Sequence, residues 1–471
     1  MSVSAAIKMT RLGTREKLEA RLAELGVSLP IDDAVDSDGA LAEPFDVAGR
    51  RVANRFSVLP MEGWDGTADG RPTELVERRW RRFGESGAGL VWGGEAYAVR
   101  PDGRANPRQL CANPESEADL VRLRETLLAG ADDHGHEAPL LGLQLTHSGR
   151  FARPEGSPAP QIAFRHPMLD RRVGVEDETA LLSDDALDDL IGDYVGVARA
   201  AERAGFDFVD VKACHGYLGH ELLSGRSRPG AYGGDLEGRA RFLLRSIAAV
   251  RAAAPSLAIG VRLSIFDFHP FAPGEGGVGT AETAPHIPFG GSADGLGLDL
   301  EETHTLLEWL TRAGVALVCT TAGSPYYNPH IQRPAFYPPS DGYRPPEDPL
   351  VGVVRQIEAT ADLRARHGGL RFVGSAYTYL QEWLPNVAQA LVREGRVDSV
   401  GLGRMILSYP TLPEDVLAGR PLARPLVCRT FSDCTTAPRN GLVSGCYPID
   451  PFYKRRPEAD RLAVLKKGSA G

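Results

Sequence analysis

Ser183-Asp-Asp-Ala-Leu-Asp-Asp-Leu-Ile-Gly-Asp-Tyr-Val-Gly-Val-Ala-Arg-Ala-Ala-Glu-Arg-Ala-Gly-Phe-Asp-Phe-Val-Asp-Val-Lys-Ala-Cys-His-Gly-Tyr217 is one complete helix-strand-loop unit. Ser183 is placed to cap an amphipathic helix over Asp184–Arg203, and Gly205 closes it. The apolar run Phe208–Lys212 then reads as a strand buried on both faces, and a polar cluster follows it. The same alternation extends in both directions. Short apolar runs recur at Arg55–Pro60, Leu90–Gly93, Leu140–Leu145, Ala258–Leu263, Ala316–Thr320, Arg371–Gly374 and Ser399–Leu402, separated by amphipathic stretches such as the one ending at Glu394 before Gly395. Eight βα repeats predict an α/β protein whose fold is a (β/α)₈ TIM barrel. The competing doubly wound fold needs a Gly-x-Gly-x-x-Gly turn after a strand. Gly401-Leu-Gly403-Arg-Met-Ile406 lacks the third glycine.

Three segments follow from this reading. Residues 1–43 form an N-terminal helical arm and connector, with a helix from about Thr14 to Leu25, too short to bury a core of its own and suited to the surface or to an oligomer contact. Residues 44–420 hold the barrel, and residues 421–471 a C-terminal Cys-containing tail. Two insertions interrupt the repeat, Phe268 to about Leu298 with eight glycines, and Ser324 to about Pro349, rich in Pro and Tyr. Both follow strands, which places them on the catalytic face as possible lids.

Composition narrows the function. The 471 residues carry 53 Lys+Arg against 62 Asp+Glu, a formal charge of −9. An acidic chain without long basic runs suits neither nucleic acid nor an anionic membrane, so the expected partner is a small-molecule substrate. No targeting block and no run of about 18 apolar residues appears, and the six scattered cysteines fit a reducing, cytoplasmic setting.

Polar and ionisable residues gather where the strands end: Pro60-Met61-Glu62-Gly63-Trp64-Asp65, Glu95-Ala96, Gln144 to Arg150, Lys212 to Tyr217, and Arg262. In a barrel these converge on one pocket. Lysine occurs only at 8, 17, 212, 454, 466 and 467, so the single lysine of the barrel falls in this predicted site. A buried ammonium there would bind an oxyanion or a carboxylate, with Asp210, on the same strand face, as a candidate counter-ion. Tyr326, Tyr327 and His330 of the second insertion, with Trp64, offer walls for a flat substrate.

Gln144-Leu-Thr-His147-Ser-Gly-Arg150 resembles the Gln-x-x-His-Ala-Gly-Arg of the Old Yellow Enzyme family of flavin oxidoreductases, with Ser148 in place of Ala. Ala204–Ser224 with Tyr232–Phe242 looks like that family's fourth-strand signature, and Arg262-Leu-Ser264, Val373-Gly374 and Asp398–Arg404 follow in order. The resemblance spans about Phe45 to Gly419 and implies FMN at the top of the barrel. Pro60, Met61, Ala96 and Gln144 would contact the flavin ring, Arg262 would face its N1/C2 carbonyl edge, and Gly374, Ser375, Gly403 and Arg404 would hold the phosphate. His215 and Tyr217 match the family's carbonyl-binding and proton-donor positions. Lys212 stands where the family has its first histidine, and Glu62 where many relatives have Thr or Cys near the flavin C4 carbonyl.

The activity this implies is NAD(P)H-driven reduction of an activated alkene, with Lys212 and His215 on the enolate oxygen and Tyr217 protonating carbon. Oxidation of an amine or a saturated ring is the alternative within the family. A Schiff-base aldolase using Lys212 and a non-catalytic flavin store are rivals from other classes. Larger relatives, resembling dienoyl-CoA reductase and trimethylamine dehydrogenase, place four cysteines after the barrel for a [4Fe–4S] cluster. Here Cys428, Cys434 and Cys446 are only three, which leaves a metal unexpected and the tail an ordered loop or remnant. The arm leaves a homo-oligomer open.

Overall fold

Eight parallel strands form a ring: β1 Phe56–Val58, β2 Leu90–Val91, β3 Leu140–Thr146, β4 Phe208–Val211, β5 Ala258–Ser264, β6 Leu317–Thr321, β7 Arg371–Gly374 and β8 Ser399–Leu402. Each pairs with its neighbour in sequence, and β8 returns to β1 through Val400↔Phe56, so no edge is left open. The computed structural model describes residues 6–468; residues 1–5 of the expected arm and 469–471 of the tail lie outside them.

β2 is broken. After Val91 the chain turns through Gly94, at φ +55°, and resumes beside β3 as Ala96–Ala98. A Cβ at Gly94 would lie 2.5 Å from the buried Trp80 ring, so both conformation and space require glycine. This kink aims Glu95 and Ala96 at the top of the barrel.

The predicted cap is present, Ser183 accepting from Ala186 N, and helix Asp184–Arg203 buries one face against the sheet; Thr14, where the arm helix is expected to begin, caps it by accepting from Lys17 N. The barrel interior is a separate apolar cluster that includes Leu90, Trp92, Leu140, Phe208 and Leu317. A hairpin, Phe45–Val47 with Arg50–Val52, plugs its N-terminal end with Phe45, Val47 and Val52.

The N-terminal arm packs on its own barrel. Helix Arg15–Glu24 buries Leu18 and Leu22 in the main core, Trp383 Nε1 donates to Leu12 O (2.7 Å), and Gln389 Nε2 donates to Asp32 Oδ2 (2.6 Å). Arg21, 2% exposed, bonds Asp348, 1% exposed, at 2.6 Å. The first insertion does not become a lid. Its hairpin, Phe271–Pro273 with Gly279–Ala281, packs against Tyr343 of the second insertion, and no residue from 268 to 298 reaches the main cavity. Among the described residues no helix is long and apolar enough to cross a membrane.

Arg21→Met leaves Asp348 buried without its cation, an error that costs about 3–5 kcal/mol. The expected outcome is a lower thermal unfolding midpoint by differential scanning fluorimetry with FMN content unchanged; an unaltered midpoint would show that the arm adds nothing to barrel stability.

Candidate functional site

Asp210 of β4 is fully buried, and its carboxylate gathers three donors: Trp92 Nε1 (2.6 Å) and Gln144 Nε2 (2.6 Å) on Oδ2, and Arg262 N (2.7 Å) on Oδ1. These come from the segments of β2, β3 and β5. Asp210 is therefore not the counter-ion expected for Lys212, since its lone pairs serve neighbouring strands and no Lys212–Asp210 ion pair forms. Gln144 and Arg262 are held in place by it. Arg262 Nη1 donates to Pro60 O (3.0 Å), while its buried Nε has no partner.

Above this layer lies a cavity of about 240 Å³, at the C-terminal ends of the strands. It brings together Pro60, Met61, Glu62, Trp64, Ala96, Gln144, Lys212, His215, Tyr217, Arg262, Tyr326, Ser375, Gly403 and Arg404, as the sequence predicts. Three predicted residues are elsewhere. Gly374 is not in the wall; a Cβ there would meet Tyr377 Oη at 2.6 Å, so this glycine makes room for a core tyrosine. Tyr327 Oη donates to Asp267 (2.5 Å), and His330 Nδ1 bonds Tyr343 Oη (2.7 Å); both rings hold the insertion to the rim instead of facing the cavity.

At one wall, Tyr217 Oη donates to Glu62 Oε2 and bonds Tyr326 Oη (2.8 Å), and Asn106 Nδ2 donates to Glu62 Oε1 (3.3 Å). Burial, with Glu62 and Tyr326 adding to it, holds the Tyr217 phenol protonated well above the usual tyrosine range. Lys212 Nζ sits 3.9 Å from the centroid of the Tyr217 ring. Burial lowers its pKa, with Glu62 acting in the opposite sense. His215 has φ +66°, a conformation stabilised by Ser264 Oγ accepting from its backbone N–H (3.0 Å). Its Nε2 meets Thr321 Oγ1 (3.1 Å) and Gln332 Nε2 (3.4 Å), and burial, then Arg262 and Lys212, keep the ring neutral.

The opposite wall is cationic. Among the described residues the Arg404 side chain has no hydrogen-bond or ion-pair partner, and burial, reinforced by Arg333, brings its pKa down to about 9. Arg333 donates from Nη2 to Ser432 Oγ, and its buried Nη1 is unpartnered. Two guanidiniums without a carboxylate match a dianionic phosphate, and no atom lies within 4 Å of a Cβ built on Gly403, so backbone is open beside them. With the unpartnered Arg262 Nε, this donor set fits FMN: Arg404, Arg333, Gly403 and Ser375 for the phosphate, Gln144 and Arg262 for the ring.

The tail supplies part of the same wall. Thr430, Cys434, Thr435, Arg439 and Cys446 line the cavity, and Ser444 Oγ accepts from Trp64 N (2.9 Å). No local motif marks Thr430 or Thr435, whereas the cysteine spacing marks the tail, and two of its cysteines, Cys434 and Cys446, do line the cavity. Among the described residues, Cys428, Cys434 and Cys446 do not bring their sulfurs within 4.8 Å of one another. Arg333 was also missed, although it lies inside the insertion that the Pro/Tyr pattern marks out.

A closed barrel whose strand ends hold a flavin-shaped donor set around one cavity defines a flavin-dependent oxidoreductase. The chain belongs to the NADH:flavin oxidoreductase / NADH oxidase family, whose profile matches residues 40–287, and is an FMN-dependent oxidoreductase. It is 26% identical over 378 residues to the NADPH dehydrogenase of Bacillus subtilis (strain 168), covering 79% of this chain and 92% of that one. To the NADPH dehydrogenase of Geobacillus sp. (strain WCH70) it is 31% identical over 235 residues, 49% of this chain and just under two thirds (64%) of the relative. Among solved structures it resembles 2-naphthoyl-CoA reductase (TM-score 0.65, 18% identity, 90% of this chain and 58% of that one). It also resembles an Old Yellow Enzyme homologue from Zymomonas mobilis (TM-score 0.57, 22% identity, 83% and 96%).

Two predictions follow from this geometry. In Asp210→Asn an amide N–H₂ must face at least one of three converging donors, an orphaning that costs about 1–3 kcal/mol. The variant is expected to bind FMN about tenfold or more weakly, measured by flavin fluorescence on ultrafiltration; equal retention would mean that the strand tie does not orient Gln144 and Arg262. The second concerns the rim histidines. Nδ1 of His147, His166 and His220 each accepts a backbone N–H, from Gly149, Leu169 and Gly216 respectively, which a doubly protonated ring cannot do. Burial brings them down to about 4, 4 and 3. The unfolded chain thus binds more protons, and the stability these rings contribute is complete above pH ~6.5 and lost as pH falls toward 4. The difference in urea midpoint between wild type and His166→Gln should shrink over that interval and be constant from 7 to 8.

Proposed function

We propose that this chain reduces the C=C bond of a small, flat α,β-unsaturated carbonyl compound, with NADPH as the electron donor. The observation that carries the reading is the wall made by Lys212, His215 and a protonated Tyr217, three groups on one loop that face one cavity. FMN, when bound, supplies hydride transfer from the nicotinamide to the β-carbon of the alkene.

The chain's own groups manage the charge and the proton. Lys212 carries a point charge toward the cavity and stabilises negative charge growing on the carbonyl oxygen. His215 is neutral; Thr321 and Gln332 occupy Nε2, which leaves Nδ1 to the substrate. Tyr217 delivers its proton to the α-carbon, and the Glu62 and Tyr326 oxygens bonded to its hydroxyl provide the route for replacing it. Trp64 and Tyr326 supply apolar faces that suit a planar molecule. Lys212 and Arg262 on the cavity favour an anionic or carboxylate-bearing substrate over an ammonium, which weighs against amine oxidation.

Tyr217→Phe tests this in two half-reactions followed by stopped flow. Flavin bleaching by NADPH is expected to proceed at the wild-type rate, while reoxidation by 2-cyclohexenone slows by about 10²–10⁴. Equal slowing of both half-reactions, or of neither, would remove Tyr217 as the proton donor.

A further inference from the structure

On the face opposite the cavity, where chain enters β3, His134, His136 and Glu414 each bring one ligand atom within 4.8 Å of the others. The arrangement is built by local structure. Helix Ser116–Asp133 ends at His134, Gly135 reverses the chain at φ +70° while donating to Asp132 O (2.9 Å), and His136 N returns to Ala131 O (3.0 Å). The reversal puts both imidazoles on one side, with ring centroids 5.7 Å apart. Gly87 leaves room for the second ring, since a Cβ there would come within 3.0 Å of His136 Cε1. Helix Leu412–Leu417 supplies Glu414, whose own N–H donates to Ser86 O (3.1 Å).

The carboxylate is aimed. Arg420 Nη2 donates to Glu414 Oε1 (2.7 Å), and Asp415 balances Arg420 through Nε (2.6 Å). That leaves Oε2 for the rings, 3.1 Å from His134 Nδ1 and 3.6 Å from His136 Nε2. The second separation is too long for a hydrogen bond, and the buried His136 Nε2 has no partner. A His134–Glu414 hydrogen bond alone gives no reason for the second ring. Around a tetrahedral ion with bonds of about 2.1 Å, neighbouring ligand atoms lie about 3.4 Å apart, and the two distances bracket that value.

We propose that His134, His136 and Glu414 bind a divalent ion of the zinc class, with water in the fourth position on the exposed His134 side. Two imidazoles and a carboxylate suit Zn²⁺, Co²⁺ or Ni²⁺, not Ca²⁺ or Mg²⁺, which take oxygen shells. The site ties the unit before β3 to the helix after β8, 280 residues apart in sequence, across the seam where β8 meets β1. The ion is thus a clamp on barrel closure, remote from the reacting groups.

The experiment uses the FMN-loaded protein after EDTA treatment and desalting. Calorimetric titration with ZnSO₄ should show one ion per chain, Co²⁺ should give visible ligand-field bands, and zinc should raise the thermal midpoint. Glu414→Gln, His136→Ala and His134→Gln are each expected to weaken zinc binding about tenfold or more and to abolish the zinc-dependent rise, with FMN content at the wild-type level. His134 is exposed, so its variant keeps the test valid if His136→Ala folds poorly. No stoichiometric binding by the wild-type protein, or binding by all three variants as tight as wild type, would overturn the assignment.

Discussion

The carboxylate of Asp210 is the constraint on which the functional end of the barrel depends. Removing a charge from water is expensive, and Asp210 is tolerated at zero exposure because Trp92, Gln144 and the Arg262 amide all donate to it. Burial still raises its pKa, so the three bonds soften the desolvation cost without cancelling it. What the fold gains is geometric. Three segments from three repeats converge on one carboxylate, and two of the donors, Gln144 and Arg262, are residues whose other polar atoms face the cavity. One carboxylate therefore ties three strand segments together beneath the cavity.

A second buried carboxylate cluster acts one layer higher. Arg79 forks between Asp65 (2.7 and 2.8 Å) and Glu95 (3.0 Å to Nε), and burial, against Arg79 and with Asp65 and Glu62 adding, lifts Glu95 to about 7. The arginine satisfies a strand-end loop and the broken second strand together, so the kink at Gly94 is held from both sides. The cavity above then carries two unlike walls. One is cationic and lacks carboxylates, at Arg333 and Arg404; the other sets Lys212 against the Tyr217 ring and Glu62 against the Tyr217 hydroxyl. A polyanionic group is drawn to the first wall and a polarised carbonyl to the second, so a long ligand has one favourable direction.

Much of this could be read in advance because barrel strands are buried on both faces. Near-continuous apolar runs such as Leu140–Leu145 and Phe208–Lys212 mark themselves, and the polar residues at their C-terminal ends must share one rim. What stayed hidden depends on contacts across long sequence gaps. Nothing local in Phe45–Val52 shows that it plugs the barrel, and nothing in Thr430 or Thr435 shows that the tail reaches the cavity. His330 and Tyr327 mislead for a related reason. A titratable ring in a Pro-rich loop looks functional, but here each one satisfies a buried partner, Tyr343 or Asp267, that the sequence does not reveal.

Lys212 and Glu62 depart separately from the family pattern, and the structure makes them one feature. A buried ammonium needs negative charge nearby, and the Asp210 oxygens are turned to donors from three neighbouring strand segments, with no ion pair to Lys212. Glu62 supplies it without forming an ion pair: the carboxylate takes the Tyr217 hydroxyl proton as a hydrogen bond while Lys212 lies against the face of the same ring. The phenol thus stands between the two charges. Burial raises the phenol's pKa, and the neighbouring Glu62 carboxylate and Tyr326 hydroxyl raise it further, so the hydroxyl keeps its proton. The two residues that depart from the resemblance therefore meet on one tyrosine, Lys212 at its ring face and Glu62 at its hydroxyl, and form one structural feature and not two independent substitutions.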